Sequence, residues 1–293
     1  MNAKVNLSAS NAPVTTTARE LGTWSCVKAS VENGIAWVVL NRPEKRNCMS
    51  PTLNDEMLQV LDAVSLDEEA RVMVLTGAGD AFSAGMDLKE FFRETDAFPP
   101  AEMEIRVRSC FDWQGPRLRN FRLPTIAMVN GYCFGGAFVP LVSCDLAIAA
   151  DEAKFGLSEV NWGIVPGGNV PIAVLHAMSL RDAMYYSITG EPFDGKRAAE
   201  IRLVNESVPR EQLRARVVEI AEKLKSKNQV IVRSTKEMVR HIRNMGYTEA
   251  ENYVNAKFSE ARFLDGEGAR AKGLREFLDE KSFRPGLDEP RRA

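Results

Sequence analysis

The sequence has few of the side chains that many enzymes use as nucleophiles, bases or metal ligands. Its 293 residues include two histidines, His176 and His241, and five cysteines that stand singly without a CxxC pair. There is no HExxH segment, no P-loop and no cluster of histidine and cysteine, which argues against a zinc or nucleotide site. GAGDAF at 77–82 lacks the third glycine of a dinucleotide fingerprint, and GLSEV at 156–160 lacks the second glycine of a nucleophile elbow. Acid–base chemistry is therefore left to carboxylates.

Strong net charge and long apolar runs are also absent. The formal net charge is −2 and the pI is about 5.9, so we expect no general attraction to nucleic acid or to anionic membranes. No apolar run reaches the roughly 18–20 residues of a membrane span. Unpaired cysteines suit a reducing compartment, so we expect a cytoplasmic protein. The small, polar residues 1–22 predict a disordered or loosely ordered tail, with only a weak likeness to an organellar transit peptide.

Short apolar runs alternate with helical patterns through the first two hundred residues, which predicts an α/β fold with buried, largely parallel strands. We predict a core over 23–205 and a separate helical region over 206–293, where charged amphipathic patterns follow one another. The predicted strands are 34–40, 71–76, 124–130, 144–149 and a last short one in LVNESVP at 203–209. The predicted helices are 51–65, a short one after a loop within 85–93, 101–122, one that begins by Phe134, and 210–225, 228–245, 248–264 and 267–278.

Three segments could supply chemistry together. They are SAGMD at 83–87, CFGGA at 133–137 and FGLSEVNWG at 155–163. The glycines allow two backbone N–H groups to approach one carbonyl oxygen closely, and Glu159 is a carboxylate that could move a proton beside it. The alternatives are purely structural roles, in which the glycines only make tight turns and Glu159 only caps a helix.

Longer strings around these segments resemble the crotonase (enoyl-CoA hydratase/isomerase) superfamily. They are AFSAGMDLKE at 81–90, a run over 124–149, and FGLSEVNWGIVPGG at 155–168. NRPEKRN at 41–47, MSPTLN at 49–54 and SEVNWGI are most similar to the hydroxycinnamoyl-CoA hydratase-lyases within that superfamily. The resemblance implies a crotonase-like spiral of ββα units. It also implies a C-terminal helical region for trimerisation and for covering the pocket, and a homotrimer or a dimer of trimers.

The resemblance also implies roles for single residues. The backbone N–H groups of Met86 and Gly136 would form an oxyanion hole, with Gly135 permitting the close approach. Water addition or carbon–carbon cleavage next to a thioester places negative charge on its oxygen, and fixed N–H donors stabilise that charge. Glu159 would be the general acid and base, and burial beside a thioester should raise the pKa of its carboxyl.

Three positions of this chain depart from relatives. Ordinary hydratases have a second glutamate three residues after the oxyanion glycine, where this chain has Val139, so one carboxylate must suffice. The hydratase-lyases place tyrosines against the substrate's para-hydroxyl at the positions of Phe91 and Asn255. Phe91 cannot hydrogen-bond, and Tyr253 is a further candidate for contact with the substrate. The remaining residues that the resemblance implies for substrate or coenzyme A binding are Lys45, Arg46, Ala84, Asp87, Leu88 and Trp162.

The resulting hypothesis is an enzyme that hydrates an aryl-propenoyl-CoA and cleaves the product to an aromatic aldehyde and acetyl-CoA. Coenzyme A would enter with the substrate, and no metal or redox cofactor would be needed. One alternative is a hydratase without the lyase step, acting on a less polar enoyl-CoA. An RNA-binding role and a catalytically silent assembly subunit remain as alternatives of other classes, although the charge argues against the first and the intact N–H pair with Glu159 against the second.

Overall fold

The apolar runs pair into two sheets in the computed structural model, which describes residues 18–282. The larger sheet has seven strands in the order β1-β2-β3-β4-β6-β8-β11, and the smaller has four in the order β10-β9-β7-β5. In chain order the strands are β1 (Arg19–Glu20), β2 (Val27–Glu32), β3 (Ile35–Leu40), β4 (Val72–Gly77), β5 (Ala81–Ser83), β6 (Thr125–Val129), β7 (Tyr132–Phe134), β8 (Leu146–Ala150), β9 (Lys154–Gly156), β10 (Phe193–Asp194) and β11 (Glu206–Val208).

Helices alternate with these strands and continue after β11. In chain order they are α1 (Pro51–Leu66), α2 (Pro100–Asp112), α3 (Phe138–Ser143), α4 (Val170–Ala177), α5 (Leu180–Thr189), α6 (Gly195–Glu200), α7 (Arg210–Lys225), α8 (Gln229–Ile242), α9 (Tyr247–Leu264) and α10 (Ala269–Leu278). Helix α1 shows why one begins where it does: the Ser50 side chain accepts a hydrogen bond from Leu53 N–H, and Pro51 occupies the first turn. None of the helices in 18–282 is long and apolar enough to cross a membrane.

Three successive chain segments each give one strand to each sheet before a helix. Strands β4 and β5, then β6 and β7, then β8 and β9 alternate between the large and small sheets. Neighbouring turns pair in parallel, as β4 with β6 and β5 with β7. Every residue of β4 and β6 is buried, in keeping with a parallel sheet covered on both faces. The expected α/β spiral of ββα units is therefore confirmed.

The predicted tail is too long at its inner end. Arg19 and Glu20 form β1 and pair with Val31 and Ser30 of β2, and Leu21 N–H donates to Ala29 O at 2.9 Å. Backbone pairing orders this stretch because a strand edge offers it the hydrogen bonds that a free tail would take from water. The tail prediction for residues 1–17 lies outside the described residues.

The predicted boundary at 205/206 is also misplaced. Strand β11 begins at Glu206 and pairs in parallel with β8, so the large sheet crosses that boundary. Helix α7 buries Leu213, Val217 and Ala221 in the same hydrophobic core as the strands. The hydrophobic core therefore continues through α7, whereas no described residue of α8–α10 belongs to it. Residues 283–293 lie outside the described part of the chain.

Two local predictions are wrong because backbone geometry overrides the helical pattern. The helix expected by Phe134 is preceded by strand β7 and a 3₁₀ turn at Gly135–Ala137, and α3 begins at Phe138. The helix expected over 101–122 is interrupted at Trp113–Arg117 by a wider π-type turn that contains Pro116. Proline lacks the N–H that an α-helix needs there, so the hydrogen-bond pattern changes.

Candidate active site

The three segments singled out in the sequence follow three parallel strands of the small sheet. SAGMD continues from β5, CFGGA from β7 and GLSEV from β9. Ser83 pairs with Cys133, and Phe134 pairs with Gly156, so the carboxyl ends of the three strands meet at one edge. Loops at the carboxyl ends of parallel strands are where α/β proteins place their sites. The spiral thus brings together segments separated by as many as seventy positions in the sequence.

Met86 lies in a short parallel bridge with Met49. Met49 N–H donates to Gly85 O at 2.8 Å, and Asp87 N–H donates to Met49 O at 3.1 Å. In a parallel pair the residue between these two bonds directs its own N–H to the opposite side. The N–H group of Met86 is therefore turned away from Met49.

The Met86 loop and the Gly136 turn touch so closely that glycine is required. Gly85 has φ of +92°, and a Cβ there would lie 2.7 Å from Phe134 O and 3.2 Å from Gly136 N. A Cβ on Gly136 would lie 3.1 Å from Cγ of Met86. The contact at Gly85 leaves no room for a methyl group, and a methyl group at Gly136 would require the Met86 side chain to shift. The backbone N–H groups of Met86 and Gly136, which the sequence predicts as donors, therefore lie on segments that pack directly against each other.

Glu159 joins the same cluster through Gly135. Gly135 has φ of +50°, and a Cβ there would lie 3.1 Å from Oε1 of Glu159. Glu159 opens a 3₁₀ turn over Glu159–Trp162, directly after β9 and the two residues that follow it. Because Gly135 has no Cβ and adopts a left-handed backbone, the Glu159 carboxylate can lie directly against it, one residue before Gly136.

The electrostatics of Glu159 suit a proton carrier. Its Oε2 atom is buried and has no hydrogen-bond partner among the described residues. Burial raises the pKa of the Glu159 carboxyl above its ordinary value, and a hydrogen bond from its own backbone opposes this only in part. No cation among the described residues lowers the pKa of this carboxyl, so proton uptake is easier than for a glutamate in water. An acid–base group that works near neutral pH needs such a shift.

Two of the three departing positions, 91 and 139, carry buried apolar side chains. Val139 is buried in α3, three residues after Gly136. Phe91 is 6% exposed and lies in a π-type helix over Leu88–Arg93, with its ring edge-on to Phe92 at 5.3 Å between centroids. Neither side chain can donate a hydrogen bond.

Asp87 holds the loop that follows Met86. Its carboxylate accepts from the N–H groups of Lys89 and Glu90 at 3.0 Å and from Arg42 at 3.1 Å, and it is buried. Burial alone would raise the pKa of Asp87, but these donors outweigh it and keep the pKa below its ordinary value. Asp87 therefore serves as a helix cap and ion-pair partner, and its contact with substrate stays a prediction.

The residues proposed for coenzyme A binding lie in or next to the segments that form the cluster. Leu88 follows the SAGMD segment and Trp162 lies in the turn that begins at Glu159, and their side chains are 56% and 69% exposed. Arg46 O accepts from Ala84 N–H at 2.9 Å, which joins the basic loop to the SAGMD segment. The Arg46 guanidinium lies 4.3 Å from the centroid of the Tyr132 ring. Lys45, the fifth candidate, is exposed in the same loop.

The structure does not bring Tyr253 and Asn255 into the cluster. Both lie on α9, which packs against α8. The Tyr253 ring contacts His241 at 5.6 Å between centroids, and Asn255 is exposed. The contact of Tyr253 and Asn255 with substrate stays a prediction, and within a single chain the two residues lie outside the cluster.

Sequence reasoning missed two buried neighbours of Met86. Gln114 is 2% exposed in the π-type turn, and its Nε2 lies 3.1 Å from Cys110 Sγ and 3.8 Å from Met86 Sδ. A glutamine in a helical pattern gives no sign that it will be buried. The only available signal was Gly115–Pro116, which breaks the helix at this point.

The remaining titratable candidates have other environments. Burial raises the pKa of Cys110 to about 12, so its thiol stays protonated and unreactive. His176 lines a separate cleft of about 940 Å³ between α3, α4 and α8, and none of the thirteen predicted site residues lines that cleft. Burial and the nearby Arg243 and Arg119 lower the pKa of His176. Among residues 18–282 no group of three or more potential metal ligands occurs.

Comparison with known proteins agrees with this geometry. The enoyl-CoA hydratase/isomerase family model matches residues 30–284. The chain is 53% identical to hydroxycinnamoyl-CoA hydratase-lyase of Pseudomonas fluorescens over 91% of its own length and 96% of that protein. It is 35% identical to (E)-benzylidenesuccinyl-CoA hydratase of Thauera aromatica, over 72% of this chain and 80% of that one.

Solved structures show the same fold. The structure superposes with a TM-score of 0.78 on the crystal structure of an enoyl-CoA hydratase subunit from Geobacillus kaustophilus. That protein is 28% identical, and the match covers 91% of this chain and 99% of that chain. The shared ββα spiral, the packed glycine turns and the extent of the sequence match lead to one conclusion: this chain belongs to the enoyl-CoA hydratase/isomerase, or crotonase, family.

Proposed function

We propose that this enzyme is a lyase of the hydroxycinnamoyl-CoA hydratase-lyase type. It adds water to an aryl-propenoyl-CoA such as feruloyl- or 4-coumaroyl-CoA and then cleaves the product to an aromatic aldehyde and acetyl-CoA. One observation carries the proposal: the Glu159 carboxylate, whose buried Oε2 has no hydrogen-bond partner among the described residues, lies against Gly135, next to the packed Gly85 and Gly136 turns. The similarity to the Pseudomonas fluorescens protein over nearly the whole chain supports the same reaction.

In the hydration step, the N–H groups of Met86 and Gly136 hold the thioester oxygen. The Glu159 carboxylate accepts a proton from water, whose oxygen attacks the β-carbon. Negative charge moves to the thioester oxygen, where fixed donors stabilise the enolate without reorganising. Glu159 then returns the proton to the α-carbon, which leaves a 3-hydroxyacyl-CoA and a free carboxylate.

In the cleavage step, the same carboxylate takes the proton of the β-hydroxyl. The bond between the α- and β-carbons breaks, and the β-carbon becomes the aldehyde carbon. The electron pair of the broken bond stays with the α-carbon and forms the enolate of acetyl-CoA. The oxyanion donors again stabilise this enolate, and Glu159 protonates its α-carbon. Substrate and one water thus balance aldehyde and acetyl-CoA, with one group acting alternately as base and acid.

Several further features follow from this proposal. Coenzyme A arrives as part of the substrate, and the proton chemistry uses only Glu159, so we propose no resident cofactor. Lys45 and Arg46 would meet the phosphates of coenzyme A, while Ala84, Leu88 and Trp162 line the path of its pantetheine arm. We further propose a homotrimer or dimer of trimers acting in the cytoplasm. In such an assembly a neighbouring subunit could carry Tyr253 and Asn255 to the pocket.

Phe91 favours a second candidate, a hydratase that stops at the 3-hydroxyacyl-CoA of a less polar enoyl-CoA. A buried phenol next to Phe91 would lack one hydrogen-bond partner there, at a cost of about 1–3 kcal/mol. The aryl group itself fits an apolar wall. The hydroxyl group on the ring, rather than the ring itself, therefore distinguishes the substrates of the two candidate functions.

Incubation with feruloyl-, 4-coumaroyl-, cinnamoyl- and crotonyl-CoA tests both candidates. The lyase produces aromatic aldehyde and acetyl-CoA in equal amounts, which chromatography measures directly. The simple hydratase accumulates a stable 3-hydroxyacyl-CoA without aldehyde. Absence of both products with all four substrates would contradict the proposed function.

A further inference from the structure

Arg42 is a buried arginine that connects the two sides of the bridge at Met86. Its Nη1 donates to Cys48 O at 2.9 Å and to Asp87 Oδ2 at 3.1 Å. Its Nη2 donates to Glu90 Oε1 at 2.6 Å. Its side chain is 10% exposed, so these contacts form with little competition from water. One guanidinium therefore joins the 41–49 loop to the segment that follows the oxyanion loop.

We propose that Arg42 is a positioning residue that sets the direction of the Met86 N–H toward the thioester oxygen. This inference rests on the proposed function, in which Met86 N–H is an oxyanion donor. Arg42 does not touch the reacting atoms. It acts by fixing the peptide groups on either side of the donor.

The hydrogen bonds show how this positioning works. The Met86 peptide is bounded by Gly85 O and Asp87 N, and both are bonded to Met49. Arg42 holds the residue before Met49 through Cys48 O and the residue after Met86 through the Asp87 carboxylate. Both members of the bridge are thus attached to the same rigid group, and neither can rotate without breaking a charge-assisted bond.

The helix that carries Phe91 is attached in the same way. Asp87 caps its first turn, and Glu90 pairs with Arg42 from within it. The loop below is equally fixed, because Asn47 Nδ2 donates to Ala81 O at 2.8 Å and Ser83 Oγ donates to Asn47 O at 2.8 Å. The NRPEKRN segment therefore fixes the catalytic loop through hydrogen bonds. This role is separate from the proposed role of its exposed Lys45 and Arg46 in binding coenzyme A.

A lysine cannot replace Arg42 in this arrangement. The planar guanidinium reaches a carbonyl and two carboxylates at fixed angles, whereas an ammonium is a single point charge on a flexible stem. Arg42→Lys keeps the charge but loosens the bridge. A small misplacement of an oxyanion donor affects the transition state more than substrate binding, so kcat should fall about ten- to hundred-fold with KM within about two-fold.

The test combines kinetics with the infrared spectrum of bound acetyl-CoA labelled at its carbonyl. In the wild type the N–H donors shift the carbonyl stretch to lower frequency, and Arg42→Lys should lose part of that shift. The matched control is Arg240→Lys, because Arg240 also donates to a carbonyl, Ser143 O, and to a carboxylate, Asp145, at similar burial. The control should lower Tm but leave kcat and the carbonyl frequency unchanged.

Wild-type kcat and carbonyl frequency in folded Arg42→Lys would overturn the inference. If that variant does not fold, Glu90→Gln carries the test, since the Glu90 side chain is 33% exposed and tolerates change. It should lower kcat about two- to ten-fold with a matching partial loss of the carbonyl shift, and no change in either would refute the proposal. The infrared measurement needs binding but no turnover. A wild type inactive on aryl-propenoyl-CoA therefore contradicts the proposed function while the spectrum still decides the role of Arg42.

Discussion

The two ends of the site are built differently. At the proposed thioester end, Met86, Gly135 and Gly136 lie in turns at the carboxyl ends of small-sheet strands, and hydrogen bonds with Met49 and Arg42 fix the Met86 loop. At the proposed distal end, Phe91 is an apolar side chain on a short helix, whereas Asn255 is exposed on α9, which packs against α8. The first end depends on backbone atoms, and the second depends on side chains alone.

This difference separates reaction class from substrate choice. Backbone donors survive almost any substitution that preserves glycine and the hydrogen bonds around it, so the thioester enolate chemistry is fixed by the fold. Side chains at the distal end can change without disturbing the main core, because neither Phe91 nor Asn255 belongs to the hydrophobic core cluster of residues 18–282. Specificity can therefore vary while the chemistry stays the same.

Removing the proton carrier at the thioester end should have the largest effect. Glu159→Gln preserves size and burial but can neither accept nor return a proton, so kcat for hydration should fall about 10²- to 10⁴-fold. Steady-state kinetics with cinnamoyl-CoA measures it. In the wild type, kcat/KM should decline as pH falls through the raised pKa of Glu159, at higher pH than for an ordinary glutamate. A Gln variant with near wild-type activity would contradict the role of Glu159.

Filling the space at Gly135 should have the next largest effect. Gly135→Ala places a methyl 3.1 Å from Glu159 Oε1 on a backbone with φ of +50°, so the carboxylate must move and kcat should fall about 10²-fold. Gly268→Ala is the matched control. It has a similar φ of +65° but nothing within 4 Å, so it carries only the backbone strain of about 1–2 kcal/mol. Equal losses of kcat in both variants would show that the contact with Glu159 is unimportant.

A hydroxyl at the distal end should change preference rather than rate. Phe91→Tyr offers a hydrogen-bond partner to a ring hydroxyl, so the ratio of kcat/KM for 4-coumaroyl-CoA over cinnamoyl-CoA should rise about 5- to 100-fold. Phe92→Tyr is the control, since that ring neighbours Phe91 but is 45% exposed. Competition assays with both substrates give the ratio directly. An unchanged ratio in Phe91→Tyr would place the aryl group elsewhere.

The smallest effect is on stability. The raised pKa of Glu159 means that the folded protein holds this proton more tightly than the unfolded chain, so the ionised form destabilises the fold as pH rises through that pKa. Glu159→Gln should therefore have a higher Tm than the wild type at about pH 8, and the difference should vanish below about pH 4, where both states are protonated. Calorimetry across this range measures it. A Tm difference that grows toward acid would contradict the sign of the shift.

Much of the fold could be predicted from the sequence because hydrophobic period and helix signals act locally. Helix α1 follows from Ser50 and Pro51 with apolar residues at helical spacing, and α7 was predicted at its observed bounds. Strand β7 was missed because three residues are too few to show alternation, and its pairing with β5 and β9 comes from distant parts of the chain. Strand β1 was missed for the same reason.

The sequence by itself determined which candidate site residues are present: two glycine turns, one carboxylate at Glu159, valine instead of a second carboxylate at 139, and phenylalanine at 91. These follow from residue identity, which the fold cannot change. Only the tertiary structure decided that Gly135 makes room for Glu159, that Asp87 caps a helix and pairs with Arg42, and that buried Arg42 and Gln114 lie next to the Met86 loop. Such relations depend on which strands become neighbours, and parallel pairing is set by long-range packing that no local pattern encodes.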